Sequence, residues 1–158
     1  MSTEVTIRPG ASTDLRELVI LMEQYWTFEG ITGFDPEQIA RLLEQLLSQR
    51  HLGTLWTARA GGGLVGYLIA VFVFSFEYQG LVAEIDEFFV VPQARSQGIG
   101  VALLNAAESG LADGGCTWVQ LQLGTSNRAA RAFYRRRGYG ERSDYELLNK
   151  KLGIAQRA

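Results

Sequence analysis

Cysteine and histidine are nearly missing from this 158-residue chain, which holds only Cys116 and His51. One cysteine closes no internal disulfide, which fits a reducing, cytoplasmic setting. The two together are too few for a His/Cys metal site, so no metal is expected. Long apolar runs are also lacking. The longest uncharged one, residues 64–76, falls short of the ~20 residues a spanning helix needs. The opening MSTEVTIRPG has no apolar signal-peptide core, so no membrane role is expected. Charge of one sign is scarce, with a formal net charge of −2, which argues against a dedicated nucleic-acid binder. No G-K-[ST] is present, which excludes a Walker-type phosphate loop. Linkers, repeats and low-complexity segments are absent. At 47% hydrophobic and 20% charged, the remainder reads as an ordinary globule. One domain over residues 1–158 is expected, with 153–158 a frayed tail.

The patterning gives an element order. Residues 5–8 read as a strand closed by Pro9-Gly10, and Ser12 or Thr13 caps a helix with Leu15, Leu18, Val19, Met22 and Tyr25 on one side. Residues 26–34 hold two glycines among Trp26, Phe28, Glu29 and Phe34 and read as a connector. Its aromatics either cover the core or, with Glu29, rim a substrate pocket. Asp35-Pro36 starts a second helix, a capping carboxylate followed by proline at the first helical position. Strands follow at 54–60 and 64–76 around a triple-glycine turn, and the second is apolar on both faces and so central. Residues 84–91 are a further strand, 101–112 a helix, 117–123 a strand, 125–138 a helix, and 139–142 with 145–152 a closing strand pair. The order is β-α-α-β-β-β-α-β-α-β-β, an α+β fold.

The stretch EIDEFFVVPQARSQGIGVALL, residues 84–104, organises the rest. A glycine-bearing turn at a helix start leaves several N–H groups unpaired and pointing one way, with the positive end of the helix dipole behind them. That is a site for a phosphate or diphosphate. A bare G-x-G is also an ordinary strand-to-helix turn. A dinucleotide fold would need a third glycine where Leu103 stands, on an early βαβ unit. Further along, Asn127, Ala130 and Tyr134 fall on one face of a helix that is followed by Arg137-Gly138-Tyr139.

The R-x-x-G-x-G run Arg95-Ser96-Gln97-Gly98-Ile99-Gly100 after an acidic strand, followed by this N-x-x-A-x-x-x-Y helix, resembles the GNAT superfamily of N-acetyltransferases. The resemblance covers roughly residues 7–152. It implies a mixed, mostly antiparallel central sheet of about seven strands with helices on both faces. It implies acetyl-CoA as co-substrate, its diphosphate on Arg95 to Gly100 and Val101, and its pantetheine arm beside Phe89, Val90, Val91, Asn127 and Ala130. It also implies direct transfer without a covalent intermediate, so Cys116 need not be a nucleophile. An amide around residues 89–91 would hold the oxyanion, and Tyr134 would protonate the leaving thiolate or else simply pack its ring.

The run Asp86-Glu87-Phe88-Phe89-Val90 is similar to the acidic strand of spermidine/spermine acetyltransferases, which implies Asp86 as base and Glu87 as amine anchor. Glu84 stands where histone-type members place their base. By strand parity Glu84 and Asp86 share one face and Glu87 takes the other, unless a bulge intervenes. A carboxylate near ~4 is a poor proton acceptor for an ammonium near ~10. The cluster is therefore expected mainly to attract and orient a cation, with water removing the proton; a merely solvated acidic face is the competing reading. The arginines from Arg128 to Arg142 read as a solvated face or as a contribution to the CoA 3′-phosphate. The expected activity is acetylation of a small primary amine: a polyamine, an aminoglycoside or an amino-acid-like amine. The alternatives are a protein N-terminal or lysine acetyltransferase and a non-catalytic acyl-CoA-binding module. A homodimer through a sheet edge near residues 145–152 is a further implication.

Overall fold

Three long runs of β-branched and aromatic residues make a sheet the frame of residues 1–122. In the computed structural model, which describes residues 4–153, the chain divides into two compact units, 1–122 and 123–158. The expected tail lies, from residue 154 on, outside the described residues. In the first unit β1 (Val5–Pro9), β2 (Gly53–Ala60), β3 (Gly63–Ser75), β4 (Gly80–Val90) and β5 (Cys116–Leu121) stand in chain order across one sheet. The first three pairings are antiparallel and β4–β5 is parallel.

Helices α1 (Leu15–Glu29) and α2 (Pro36–Ser48) cover one face, and α3 (Ile99–Asp113) covers the other. Leu18, Leu21 and Met22 of α1, spaced for one helical face, pack with Ile39 and Leu43 of α2 on Tyr67, Ile69 and Phe89. Each such buried side chain stabilises by roughly 1.5–3 kcal/mol. Asp35 caps α2 as expected, its Oδ1 accepting from the amides of Glu37 (3.0 Å) and Gln38 (3.2 Å). No helix among the described residues is long and apolar enough to cross a membrane.

On the α3 face, a methyl group built on Gly110 would sit 2.3 Å from Cζ2 of Trp56. Alanine normally gains about 1 kcal/mol over glycine inside a helix, whereas forcing a packed indole aside costs about 1–3 kcal/mol. Gly110→Ala is therefore expected to lower stability in a urea titration, against the helix-propensity trend; a rise in the midpoint would show that Trp56 yields freely.

The second unit contributes α4 (Arg128–Arg135), four helices in all among the described residues. It is shorter than the expected 125–138. Asn127 precedes the helix as its cap, and Gly138 ends the turn in the left-handed region (φ 86°). The closing strand pair is a correction. Residues 139–152 form no strand, so the sheet has five strands rather than about seven, and the order stops at the fourth helix. The physical reason is composition. The segment holds no valine, isoleucine or threonine but does hold Gly140, Asp144 and Asn149, all poor strand formers. Glu141 folds back instead to pair with Arg131 (3.0 Å) and Arg135.

Candidate active site

β4 carries the acidic residues, and its register decides where they point. Ile69 of β3 lies opposite Glu87, and Ala70 lies opposite Ile85, so Asp86 is the extra residue of a β-bulge. The bulge resets parity: Glu84 and Glu87, three apart, share the face turned to α1 and α2. Strand parity would have paired Glu84 with Asp86 against Glu87; the bulge, the stated exception to that parity, is present. At the same point β4 loses its other neighbour. Its pairing with β5 ends at Ile85 opposite Leu121, while β4 runs on to Val90. Past the bulge no strand among the described residues pairs with the outer edge of β4.

The three carboxylates have different surroundings. Glu84 is held by two side-chain amides of β5 and its continuation, Gln120 Nε2 at 2.9 Å and Gln122 Nε2 at 3.3 Å. Glu87 is 9% exposed. Its Oε1 accepts from the indole Nε1 of Trp26 (2.8 Å) and its Oε2 from the Tyr67 hydroxyl (2.8 Å). Burial raises its pKa, the two donors pull it back, and the Asp86 charge pushes it up again. The Tyr67 phenol is pushed far up, by burial first and then by Glu87, so it stays a donor. Asp86 is exposed and makes no bond among the described residues. Partial desolvation, then the Glu84 charge, raises its pKa above the ordinary 3.8.

The expected rim residues move. Trp26, Phe28 and Glu29 lie on the last two turns of α1, not in a connector, because α1 continues to a left-handed cap at Gly30 (φ 69°). Trp26 turns inward to Glu87 and packs edge-on against Phe34, with ring centroids 5.3 Å apart. Phe28 stays exposed. It helps line a groove of about 530 Å³ between α1, from Ile20 to Phe28, and Phe89 with Pro92. Glu29 is exposed and is not bonded to the acidic strand.

The loop after β4 is built for an anion. Ser96 is left-handed (φ 61°), a conformation uncommon for a non-glycine residue. Gly98 is also left-handed (φ 78°), with nothing within 4 Å of where a Cβ would stand. The first intrahelical bond of α3 runs from Ala102 N–H to Gly98 C=O (3.0 Å), and no side chain among the described residues caps the preceding amides at Gly98, Ile99, Gly100 and Val101. The Ile99 side chain is buried, so that turn offers backbone alone. Gln97 reaches back to the carbonyl of Gln93 (3.2 Å). Open space above glycine and a fan of uncapped amides fit a diphosphate.

On the open edge, Val91 N–H donates inward to Val65 C=O (2.9 Å). Strand alternation then turns Phe89 inward to Tyr67 and Val90 outward. Of Phe89, Val90 and Val91, it is Val90 whose amide faces the edge. The Phe89 side chain is buried in the core.

In the second unit Asn127 Oδ1 accepts from Ala130 N–H (3.1 Å), so its carbonyl serves the helix and only its NH2 remains to offer. Tyr134 is half-buried with the rings of Phe133 and Tyr139 each 5.2 Å away, and desolvation pushes its phenol up to about 12. It therefore carries its proton throughout the neutral range.

Tyr67, Gln120 and Gln122 were not foreseen. The glutamines did carry a signal, alternating as Gln-Leu-Gln on one strand face. Tyr67 carried none, being one ring in an apolar strand. Among the described residues, no group of three or more His, Cys, Asp or Glu side chains is placed to hold a metal ion.

The family described as "Acetyltransferase (GNAT) family" matches residues 17–139. An uncharacterised N-acetyltransferase of Bacillus subtilis is 28% identical over 87% of this chain and 91% of its own length. An aminoglycoside N(6′)-acetyltransferase type 1 of Klebsiella aerogenes is 27% identical over 96% of this chain and all of its own. The crystal structure of an integron cassette protein from the mobile metagenome of Cole Harbour salt marsh superposes with a TM-score of 0.82. It is 30% identical and covers 94% of this chain and 91% of its own. The chain therefore belongs to the acetyltransferase (GNAT) family and is an acetyl-CoA-dependent N-acetyltransferase.

Proposed function

We propose that the acceptor is a small cationic primary amine, first of all a polycationic amino sugar, with polyamines and amino-acid-like amines next. The observation that carries this reading is the bulge residue Asp86. It is an exposed carboxylate without a bonded partner among the described residues, on a strand edge unpaired among them, flanked by two carboxylates that do have partners. The Klebsiella relative, named for aminoglycoside acetylation, supports the order of acceptors.

Bound acetyl-CoA supplies the thioester, and the chain's residues do the rest. The Gly98–Val101 amides and Arg95 hold its diphosphate; the family resemblance assigns the pantetheine arm to Asn127 and Ala130. The Val90 amide stabilises the oxyanion as the amine nitrogen bonds to the carbonyl carbon. The C–S bond then breaks, and the leaving thiolate is the group that the same resemblance assigns to Tyr134. Asp86 and Glu84 draw in the ammonium. The raised pKa of Asp86 narrows its gap to the amine, so Asp86 or a water it orients takes the amine proton. Glu87, with both oxygens engaged, shapes the site from beneath rather than anchoring the amine.

An amine panel assayed by release of free CoA thiol tests this. Asp86→Asn is expected to raise KM for a di- or polycationic amine about tenfold, and to change KM for a monocationic amine less. The ammonium binds the ionised carboxylate, so wild-type KM is expected to fall as pH rises through the Asp86 pKa. Equal KM values in wild type and variant across the panel would remove Asp86 from the acceptor site.

A further inference from the structure

We propose that Phe28, although carried by the helix that borders the acceptor side, is a positioning residue for the co-substrate. It holds Arg95 as a preset fork for the coenzyme's phosphates. The inference rests on the reading of the Arg95–Val101 loop as the diphosphate site.

Three contacts fix Arg95. Its Nε donates to Val90 C=O at 2.8 Å, and its guanidinium carbon lies 4.8 Å from the Phe28 ring centroid and 5.5 Å from that of Phe89. Both rings touch each other as well, at 6.5 Å between centroids. Both rings lie within cation–π range of the guanidinium carbon. With Nε bonded to Val90, the four N–H groups on the two terminal nitrogens have no protein acceptor among the described residues. An arginine held at its Nε and against two rings but with its terminal N–H groups unbonded, three residues before the uncapped amides of α3, is shaped for an anion that the protein does not itself supply.

Phe89 is locked in the core, whereas Phe28 is 61% exposed, and its exposure has no packing reason of its own. A free arginine would have to surrender its rotamer freedom on meeting a phosphate; one already clamped does not. The clamp also ties Val90, whose carbonyl receives Nε and whose amide faces the open edge, to the end of α1.

Calorimetric titration with CoA at low and at moderate salt tests the proposal. The proteins are wild type, Phe28→Leu, Phe28→Tyr, Arg95→Ala and Phe28→Leu/Arg95→Ala, and the amine KM is measured for each. Phe28→Leu is expected to weaken CoA binding about three- to fivefold, the size of one half-exposed cation–π contact. Phe28→Tyr keeps the ring and is expected to stay within about twofold of wild type. The double variant is expected to bind as Arg95→Ala alone, since the ring has no arginine left to hold. The amine KM is expected not to follow Phe28→Leu.

Additive losses in the double variant would overturn the proposal, and so would a raised amine KM with CoA affinity intact, which would return Phe28 to the acceptor rim. If wild type binds CoA and Arg95→Ala binds it equally well at low salt, Arg95 is no phosphate contact and the proposal falls, while the amide fan stands. If wild type fails to bind CoA at all, the reading of the loop falls with it.

Discussion

Tyr134→Phe is expected to lower kcat by about 100-fold while leaving CoA affinity within about twofold of wild type. The size follows from comparing two acids. Burial pushes the Tyr134 phenol up to about 12, whereas a free thiol lies near ~8.5. Handing the proton over completely to a thiolate would be uphill by roughly 3.5 pK units, about 5 kcal/mol. As the acid of this reaction Tyr134 would therefore act chiefly by donating a hydrogen bond to sulfur as negative charge builds there, the leaving thiolate collecting its proton from water. That places the loss at the lower end of the range for acid catalysis. The same direction of shift removes any basic limb due to Tyr134 from the neutral and mildly alkaline part of the pH–rate profile. Stopped-time assays of thiol release, with CoA affinity measured separately, check both points. An unchanged kcat would reduce Tyr134 to a ring packed between Phe133 and Tyr139.

The second large effect concerns stability, far from the chemistry. Asp14 is fully buried. Its carboxylate is gripped by Arg8 through both oxygens at 2.8 Å, by Arg59 at 3.1 Å and by the Ala11 amide at 2.9 Å. Arg59 also reaches Glu17 at 2.6 Å, and Glu17 accepts from the Leu64 amide at 2.8 Å. One cluster thus ties β1, β2, the start of β3 and the first turn of α1 together. Asp14→Asn keeps the shape of the side chain but takes the shared counter-ion from Arg8 and Arg59; both guanidiniums reach solvent, which limits the loss to about 1–3 kcal/mol. Asp14→Asn is expected to lower the melting temperature by roughly 2–12 °C in a domain of this size.

The pH dependence has a definite sign. Burial alone would raise the Asp14 pKa, but Arg8, the Ala11 amide and Arg59 outweigh it, and the net shift is downward from 3.8. A carboxylate whose folded pKa is depressed contributes stability in full above its unfolded pKa, and loses it as pH falls through the folded one. Wild type is therefore expected to lose this contribution only below about pH 4, and Asp14→Asn to melt with a flatter profile there. Parallel acid-limb curves for the two proteins would show that the cluster carries no net charge energy.

Several features of this chain were legible in its residues because they rest on local physics. Asp35-Pro36 starts α2, since a carboxylate two residues before an amide and a proline without one suit a helix start whatever surrounds them. Gly98 bends the chain left-handed into α3 because a side chain there would resist it. The apolar run of β3 lies mid-sheet because both its faces must leave water. What the tertiary structure alone decided are matters of register and of partners distant in sequence. A one-residue bulge put Glu84 and Glu87 on one face and left Asp86 between them, a choice made by pairing with β3 that no periodicity within β4 announces. Trp26 meets Glu87 across 61 positions, and Tyr67 closes the same bond network. The end of the strand pattern after α4 shows the limit from the other side: between Tyr139 and Leu152 only Tyr145-Glu146-Leu147 alternates, and a segment without β-branched residues does not make a strand.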